Sequence, residues 1–285
     1  MSNAASTYAM ELIAALTPSA PIELAALANT LGLEIEYCSA SGFDGALICS
    51  KSNRVGTILV KDSIREPGRK RFTIAHEIGH YVLPHHGHAG CLCGSDDVES
   101  WAQSIADHER EANVFASELL VPRALVTEKV RQSHPTFDLI RDIAGTFSTS
   151  LTASAYRVMD LTAFRAAIVW STRGVIRWFK SSDEFDAFVS VGERVEQGTY
   201  AYDCFERKRV PDELKSVRAN LWLVSPEGSS DAYLLEHSVW MPFYDSVLTL
   251  LYLETPSSAA RDDDDGRLEE LYPEDFTLRR RRWPR

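Results

Sequence analysis

The sequence predicts an α+β protein of more than one domain, and three observations predict it. Short β-rich runs alternate with amphipathic helical runs over the first 122 residues; a purely helical stretch follows over 123–162; a hairpin pattern then opens a strand-rich segment over 163–255. At 285 residues the chain exceeds one core of ~150 residues. Apolar residues at 45% and charged residues at 25% exclude a disordered, collagenous or coiled-coil protein. The formal charge of −11 makes a general nucleic-acid coat a poor candidate, because backbone phosphates would be repelled. No apolar run reaches the ~18 residues of a membrane span, and no cationic lead precedes an apolar core, so the cytoplasm is the expected compartment. Cys38, Cys49, Cys91, Cys93 and Cys204 are odd in number and scattered, which is no disulfide framework.

Pro21–Leu31 carries Leu24, Leu27, Ala28 and Leu31 at helical spacing, and Gly32 stops it. Leu33–Tyr37, Gly45–Cys49 and Thr57–Lys61 are β-rich runs between Gly, Ser and Asn, the strands of one small sheet. A helix follows over about Gly68–Leu83, ended by Pro84. Pro84–Asp97, rich in Gly, His and Asp, predicts a loop, and Val98–Val121 a longer helix closed by Pro122. In the helical stretch, Leu139, Ile143, Ala144 and Phe147 give one helix and Leu151, Ala155, Val158 and Met159 another. Ser148-Thr149-Ser150 separates them, the outline of a helix-turn-helix. Ala166–Trp170 and Val175–Phe179 flank Ser171–Gly174 as a hairpin, and Leu221–Val224, Ala232–Glu236 and Val247–Leu253 predict further strands. The stretch 256–285 is block-charged, acidic over Asp262–Asp265 and basic over Arg279–Arg282, and predicts a solvated, flexible tail.

Chemistry concentrates in Phe72–Tyr81 (FTIAHEIGHY). His76 and His80, four residues apart on a helix, point the same way and can share one zinc ion. Glu77 beside the first histidine is the candidate general base, since zinc brings the pKa of its bound water to ~7. A third ligand is available on the next helix. Glu109 shares its face with the small residues Ala112 and Ala116 and with Asn113, whereas Glu111 shares its face with Phe115 and Glu118. Face geometry favours Glu109 and leaves Glu111 as the alternative; Asn113, one turn on, is placed to orient a metal-bound histidine. Gly79 and Ala75 leave room for that helix to approach. Tyr81, His85 and His86 are near in sequence as candidate oxyanion partners, with none assigned.

With those residues in place, Phe72–Tyr81 together with Glu109–Pro122 (EREANVFASELLVP) resembles the ImmA/IrrE family of zinc metallo-endopeptidases. That family joins HExxH to a second helix of the form E-x-x-A-N-x-F-A-x-x-L-L-x-P, matched here by Glu109, Ala112, Asn113, Phe115, Ala116, Leu119, Leu120 and Pro122. The resemblance continues over Asp142–Leu161, and 163–285 is similar to the C-terminal extension of longer members. It implies a zincin-like metallopeptidase domain over 1–122, a helix-turn-helix-like segment over 123–162 and a C-terminal α/β sensor-like regulatory domain over 163–255. It also implies one Zn2+ per chain on His76, His80 and Glu109 (Mn2+ suits the same donors), with Glu77 as the catalytic glutamate. The implied activity is that of a bacterial or phage regulatory protease, which cuts a helix-turn-helix repressor and so switches on stress or mobile-element genes. The implied C-terminal domain would take a regulatory ligand or protein. The acidic chain suits a basic target.

Two features stand apart. Pro84–Cys93 packs three histidines and Cys91 and Cys93 together; a second metal, or Cys91 as a latency ligand, competes with a plain His-rich surface loop, which the irregular spacing favours. The helical stretch 123–162 nets only +1, weak for a phosphate footprint, so a packing or docking module is favoured over DNA binding. The rival functions are a DNA-binding transcription regulator whose metal site senses a ligand, and an antitoxin-like protein that has lost activity. The presence of all four catalytic positions speaks against the latter. Trp170, Trp178, Trp222 and Trp240 read as sheet packing.

Overall fold

The computed structural model describes residues 2–15, 20–39, 41–49, 55–84, 91–93, 107–224 and 232–254. It is a mixed α+β chain of two compact units, Met1–Thr162 and Ala163–Arg285.

The first unit holds a four-stranded sheet of β1 (Leu33–Cys38), β2 (Gly45–Cys49), β3 (Gly56–Lys61) and β4 (Cys91–Cys93) in the order β1-β3-β2-β4. β1 runs parallel to β3, and β2 runs antiparallel to both β3 and β4. Leu33, Leu47, Ile58 and Val60 are buried while Glu34, Glu36 and Ile48 are exposed, the alternation of a half-buried sheet. The three upstream strands lie where hydrophobic alternation predicts them. The predicted loop over 84–97 contains an additional strand: β4 pairs along β2 through Gly45–Cys93, Ala46–Leu92 and Leu47–Cys91. A run of three residues is too short for periodicity to announce; the edge of β2 supplies its hydrogen bonds.

The helices are α1 (Ser2–Ala15), α2 (Leu24–Thr30), α3 (Pro67–Val82), α4 (Asp107–Leu120), α5 (Arg123–Gln132), α6 (Phe137–Phe147) and α7 (Leu151–Leu161). Pro67 starts α3, where its fixed φ suits a helix and its missing N–H costs nothing. Phe72–His80 is buried without a break, so α3 is the unit's central helix, covered on all sides. α1, which periodicity does not predict, packs on α4 through Ala5, Ala9 and Ile13. The first nine residues of the predicted helix Val98–Val121 lie outside the described residues, as does the predicted tail 256–285. Thr136 and Ser150 cap α6 and α7 by accepting from Leu139 N and Ala153 N at 3.2 and 3.1 Å.

The helix-turn-helix outline is therefore present as α6 and α7, joined through Ser148 in the left-handed region at φ 52°. Its inner face packs inside the unit, while Asp138, Arg141, Asp142 and Thr146 of α6 are exposed. A Cβ on Gly68 of α3 would lie 2.3 Å from Ser150 N and 2.5 Å from Thr149 C, so the inter-helix turn rests backbone to backbone on α3. Arg157 of α7 is buried, donating to Glu118 Oε2 of α4 at 2.6 Å and to Val121 O at 2.9 Å. Arg123 and Ser6 also donate to Glu118, tying α1, α4, α5 and α7 to one carboxylate.

The second unit is an antiparallel sheet of β5 (Ala166–Thr172), β6 (Val175–Ser181), β7 (Lys215–Arg218), β8 (Tyr233–Met241) and β9 (Ser246–Tyr252), in the order β6-β5-β9-β8-β7. The β5–β6 hairpin turns at Arg173-Gly174, both at positive φ (51° and 75°), as a two-residue turn that follows the strand twist requires. Trp170 stacks on its cross-strand partner Trp178 at 6.0 Å, which is sheet packing. The predicted strand Leu221–Val224 is instead a 3₁₀ turn over Ala219–Leu221 followed by a single bridge between Val189 and Leu223. The reason is Trp222, which is buried and donates from Nε1 to Glu236 Oε2 at 2.9 Å, turning the chain inward. Glu236 also accepts from Ala201 N at 2.7 Å and so anchors α8 (Tyr200–Phe205), a helix whose position the sequence does not announce. No described helix is long and apolar enough to cross a membrane.

Candidate metal centre

α3 and α4 cross where both carry their smallest residues. A Cβ on Gly79 would meet Phe115 Cδ1 at 3.1 Å and Ala112 Cα at 3.3 Å, and Ala75, Ala112 and Ala116 are wholly buried in the same seam. This close approach lets Glu109 reach back from the first turn of α4 to the histidines of α3. His76 Nε2 lies 3.0 Å from Glu109 Oε2 and 3.0 Å from His80 Nε2, and His80 Nε2 lies 3.2 Å from Glu109 Oε1. Among the described residues these three form the group of His, Cys, Asp and Glu able to hold a metal ion, all their donor atoms lying within 4.8 Å of one another.

The proton inventory shows that the group fits a cation. Asn113 Oδ1 can only accept, so the 2.9 Å contact to His76 Nδ1 places the ring's proton there. The Nε2 lone pair of a neutral His76 then faces a carboxylate oxygen and a second ring nitrogen. Electron-pair donors converging in this way are mutually repulsive unless a cation, or a proton, lies among them. Their separations of 3.0–3.2 Å approach the ~3.3 Å edge of a tetrahedron with metal–ligand arms of about 2.0 Å.

Electrostatics agree with a ligand role. Burial lowers the pKa of His76, as does the neighbouring His80, while the adjacent Glu109 carboxylate opposes them. A neutral imidazole is the form that ligates. Burial pushes the Glu109 carboxyl up, but the His76 and His80 rings against it outweigh burial and hold Glu109 far below the usual carboxylate range.

Glu77 is fully buried on α3, beside the group in sequence. Asn113 is buried one turn after Glu109, on the same helix as the ligand-type carboxylate. Glu111 is half-buried and lies outside the group, and Tyr81 is half-buried at the end of α3, also outside it. Cys91 and Cys93 contribute backbone to β4, while their side chains and His85, His86 and His88 lie outside the described residues. Sequence reasoning missed Asp44 and Gly45 at the start of β2. Asp44 is buried and paired with Arg69 of α3 and Lys61 of β3, and a Cβ at Gly45 would lie 2.6 Å from Glu77 Oε1. The run Gly45–Cys49 reads from sequence only as a strand, and nothing local announces the α3 side chains across from its start.

Two histidines on one helix, a glutamate between them and a carboxylate returning from the next helix define a candidate metallopeptidase centre. Residues 28–159 match the family model of the IrrE N-terminal-like domain, peptidase family M78. The chain is 25% identical over 143 residues to the radiation response metalloprotease IrrE of Deinococcus radiodurans, covering 48% of this chain and 39% of that protein. It is 30% identical over 113 residues to the radiation response metalloprotease IrrE of Deinococcus deserti, covering 37% of each. The chain thus spans less than two fifths of the length of these curated relatives. A Mycobacterium tuberculosis transcriptional regulator is similar in structure at a TM-score of 0.49 and 11% identity, over 87% of this chain and 75% of that one.

Proposed function

We propose that the chain is a zinc-dependent endopeptidase that cuts a helix-turn-helix repressor. The observation that carries the reading is the convergence of His76 Nε2, His80 Nε2 and Glu109 within hydrogen-bond distance on two helices, with Glu77 buried alongside. Zn2+ held by those three residues would supply Lewis acidity, polarising a peptide carbonyl and acidifying water at neutral pH. The protein's own groups do the rest. Asn113 fixes the His76 tautomer by accepting its Nδ1 proton. Glu77 takes a proton from the attacking water at its carboxylate and returns it to the leaving amide nitrogen. The buried seam around Gly79 and Ala112 holds the two helices at the separation the ligands need.

The repressor as target is supported by the IrrE-like domain and by the acidic balance of the chain, which complements a basic protein. The unit from Ala163 onward is assigned to regulation of the protease, through a ligand or protein it would bind. The α6–α7 pair is assigned to support of α3, since the turn rests on Gly68 and Arg157 is committed to Glu118. Incubation of the zinc-loaded chain with candidate repressors should give one discrete cut. Glu77→Gln should abolish it while zinc stays bound. Undiminished cleavage by Glu77→Gln would refute the mechanism.

A further inference from the structure

Arg69, Thr73 and Glu77 recur every four residues on α3 and form one stripe facing the start of β2. β2 meets that stripe with Asp44 and Gly45. Asp44 is buried, ion-paired to Arg69 and 3.5 Å from Lys61 Nζ, and its carbonyl accepts from Lys61 N at 2.9 Å, so the strand start is fixed to both α3 and β3. Gly45 follows. A Cβ there would stand 2.4 Å from Thr73 Cγ2 and 2.6 Å from Glu77 Oε1. Thr73 cannot easily turn away, because its Oγ1 donates to Arg69 O at 3.1 Å and so directs Cγ2 at the strand. Gly45 is flanked by Val60 on β3 and Cys93 on β4, so its backbone cannot withdraw without parting two ladders.

We infer that Gly45 is a positioning residue for Glu77: its missing side chain, held in place by the Asp44–Arg69 pair, sets where the Glu77 carboxylate stands. The inference rests on the metallopeptidase reading given above. An ordinary contact begins near 3.4 Å, so alanine at 45 would force the carboxylate back by about 0.8 Å. Displacements near 1 Å cost roughly 10²-fold in rate when the moved group does the chemistry. The three atoms nearest a Cβ at 45 belong to Thr73 and Glu77 and none to His76, His80 or Glu109, so ion binding should survive the change.

The test uses the full chain loaded with Co2+, whose visible absorption reports the surroundings of the ion without a substrate. Wild type, Glu77→Gln, Gly45→Ala and the double variant Gly45→Ala/Thr73→Ser are compared by cobalt affinity, spectrum and thermal melting. Thr73→Ser keeps the back-bond and removes Cγ2, relieving the packing clash while leaving the clash with Glu77. The inference expects both Gly45→Ala proteins to bind cobalt within about threefold of wild type, with spectra shifted in the same sense as Glu77→Gln, the double variant regaining most of the lost melting temperature. On a cleavable repressor, kcat should fall about 10²-fold at unchanged KM. Wild-type spectra in both Gly45 variants, with Glu77→Gln shifted, would overturn the role of Gly45 alone. Failure of the double variant to fold would also overturn it, since the glycine would then serve packing. No cobalt bound by wild type, or no shift in Glu77→Gln, would overturn the metallopeptidase reading and this inference with it.

Discussion

Replacing Arg157 with alanine separates two accounts of the α6–α7 segment. In the structure the Arg157 guanidinium is 5% exposed and faces the Glu118 carboxylate, 1% exposed, at 2.6 Å. Removing one partner of a buried pair costs about 3–5 kcal/mol, because the other charge stays buried. Arg123 still reaches Glu118 from its exposed side at 3.0 Å, so the lower end applies, about 3 kcal/mol. For a domain of this size roughly 2–4 °C accompanies each kcal/mol, giving a fall of about 6–12 °C in the melting temperature of Arg157→Ala. Differential scanning calorimetry of the full chain reads this directly. If Arg157 instead served DNA phosphates, its loss would leave the transition in place and weaken a gel shift. A melting temperature within 2 °C of wild type would therefore refute the buried-pair argument.

Other expectations follow from the same geometry. Glu109→Ala should lose zinc in dialysis against a chelator while Glu111→Ala retains it; the reverse order would transfer the ligand role. Asn113→Ala should weaken metal affinity about 10–100-fold through loss of the His76 tautomer lock, measured by competition titration. Gly68→Ala should destabilise by about 1–3 kcal/mol, because its Cβ meets the Thr149–Ser150 backbone, and an unchanged denaturation midpoint would count against that contact. Burial pushes the Glu118 carboxyl up, but Arg157 and Arg123 pull it below its ordinary value. A carboxyl lowered on folding gives stability that is complete above its unfolded pKa of about 4.3 and is lost as pH falls through the folded value. Arg157→Ala should therefore move the acid-unfolding midpoint upward, followed by circular dichroism.

What the sequence made legible was local. His76, Glu77 and His80 declare themselves within one and a half helical turns, and the choice of Glu109 over Glu111 needed only helix periodicity and the size of its neighbours. Gly79 against Ala112 was legible for the same reason. The rest depends on distant partners. α1 buries a stripe of Ala5 and Ala9, too weakly apolar to stand out, and its worth lies in α4. α8 is six residues long and begins where Glu236, 35 positions away, accepts from Ala201 N. β7 buries Val217 alone, as an edge strand does, so no alternation marks it. Trp222 reads as a strand residue until Glu236 is seen to claim its indole N–H. Gly45 reads as an ordinary strand start until Glu77 is seen across from it.

The short N-terminal helix leans on the back of the rod that carries Glu109 and Asn113, and Ser6 reaches the same carboxylate that Arg157 and Arg123 share. Glu109 and Asn113 sit on one helix, so on the proposed metallopeptidase reading anything that pries at its far side is felt where the ion would be gripped. A fusion tag pressed against the first residues, or trimming by a contaminating protease, is on this view no neutral handling step: it should register as leakier metal retention before any change in secondary structure is visible.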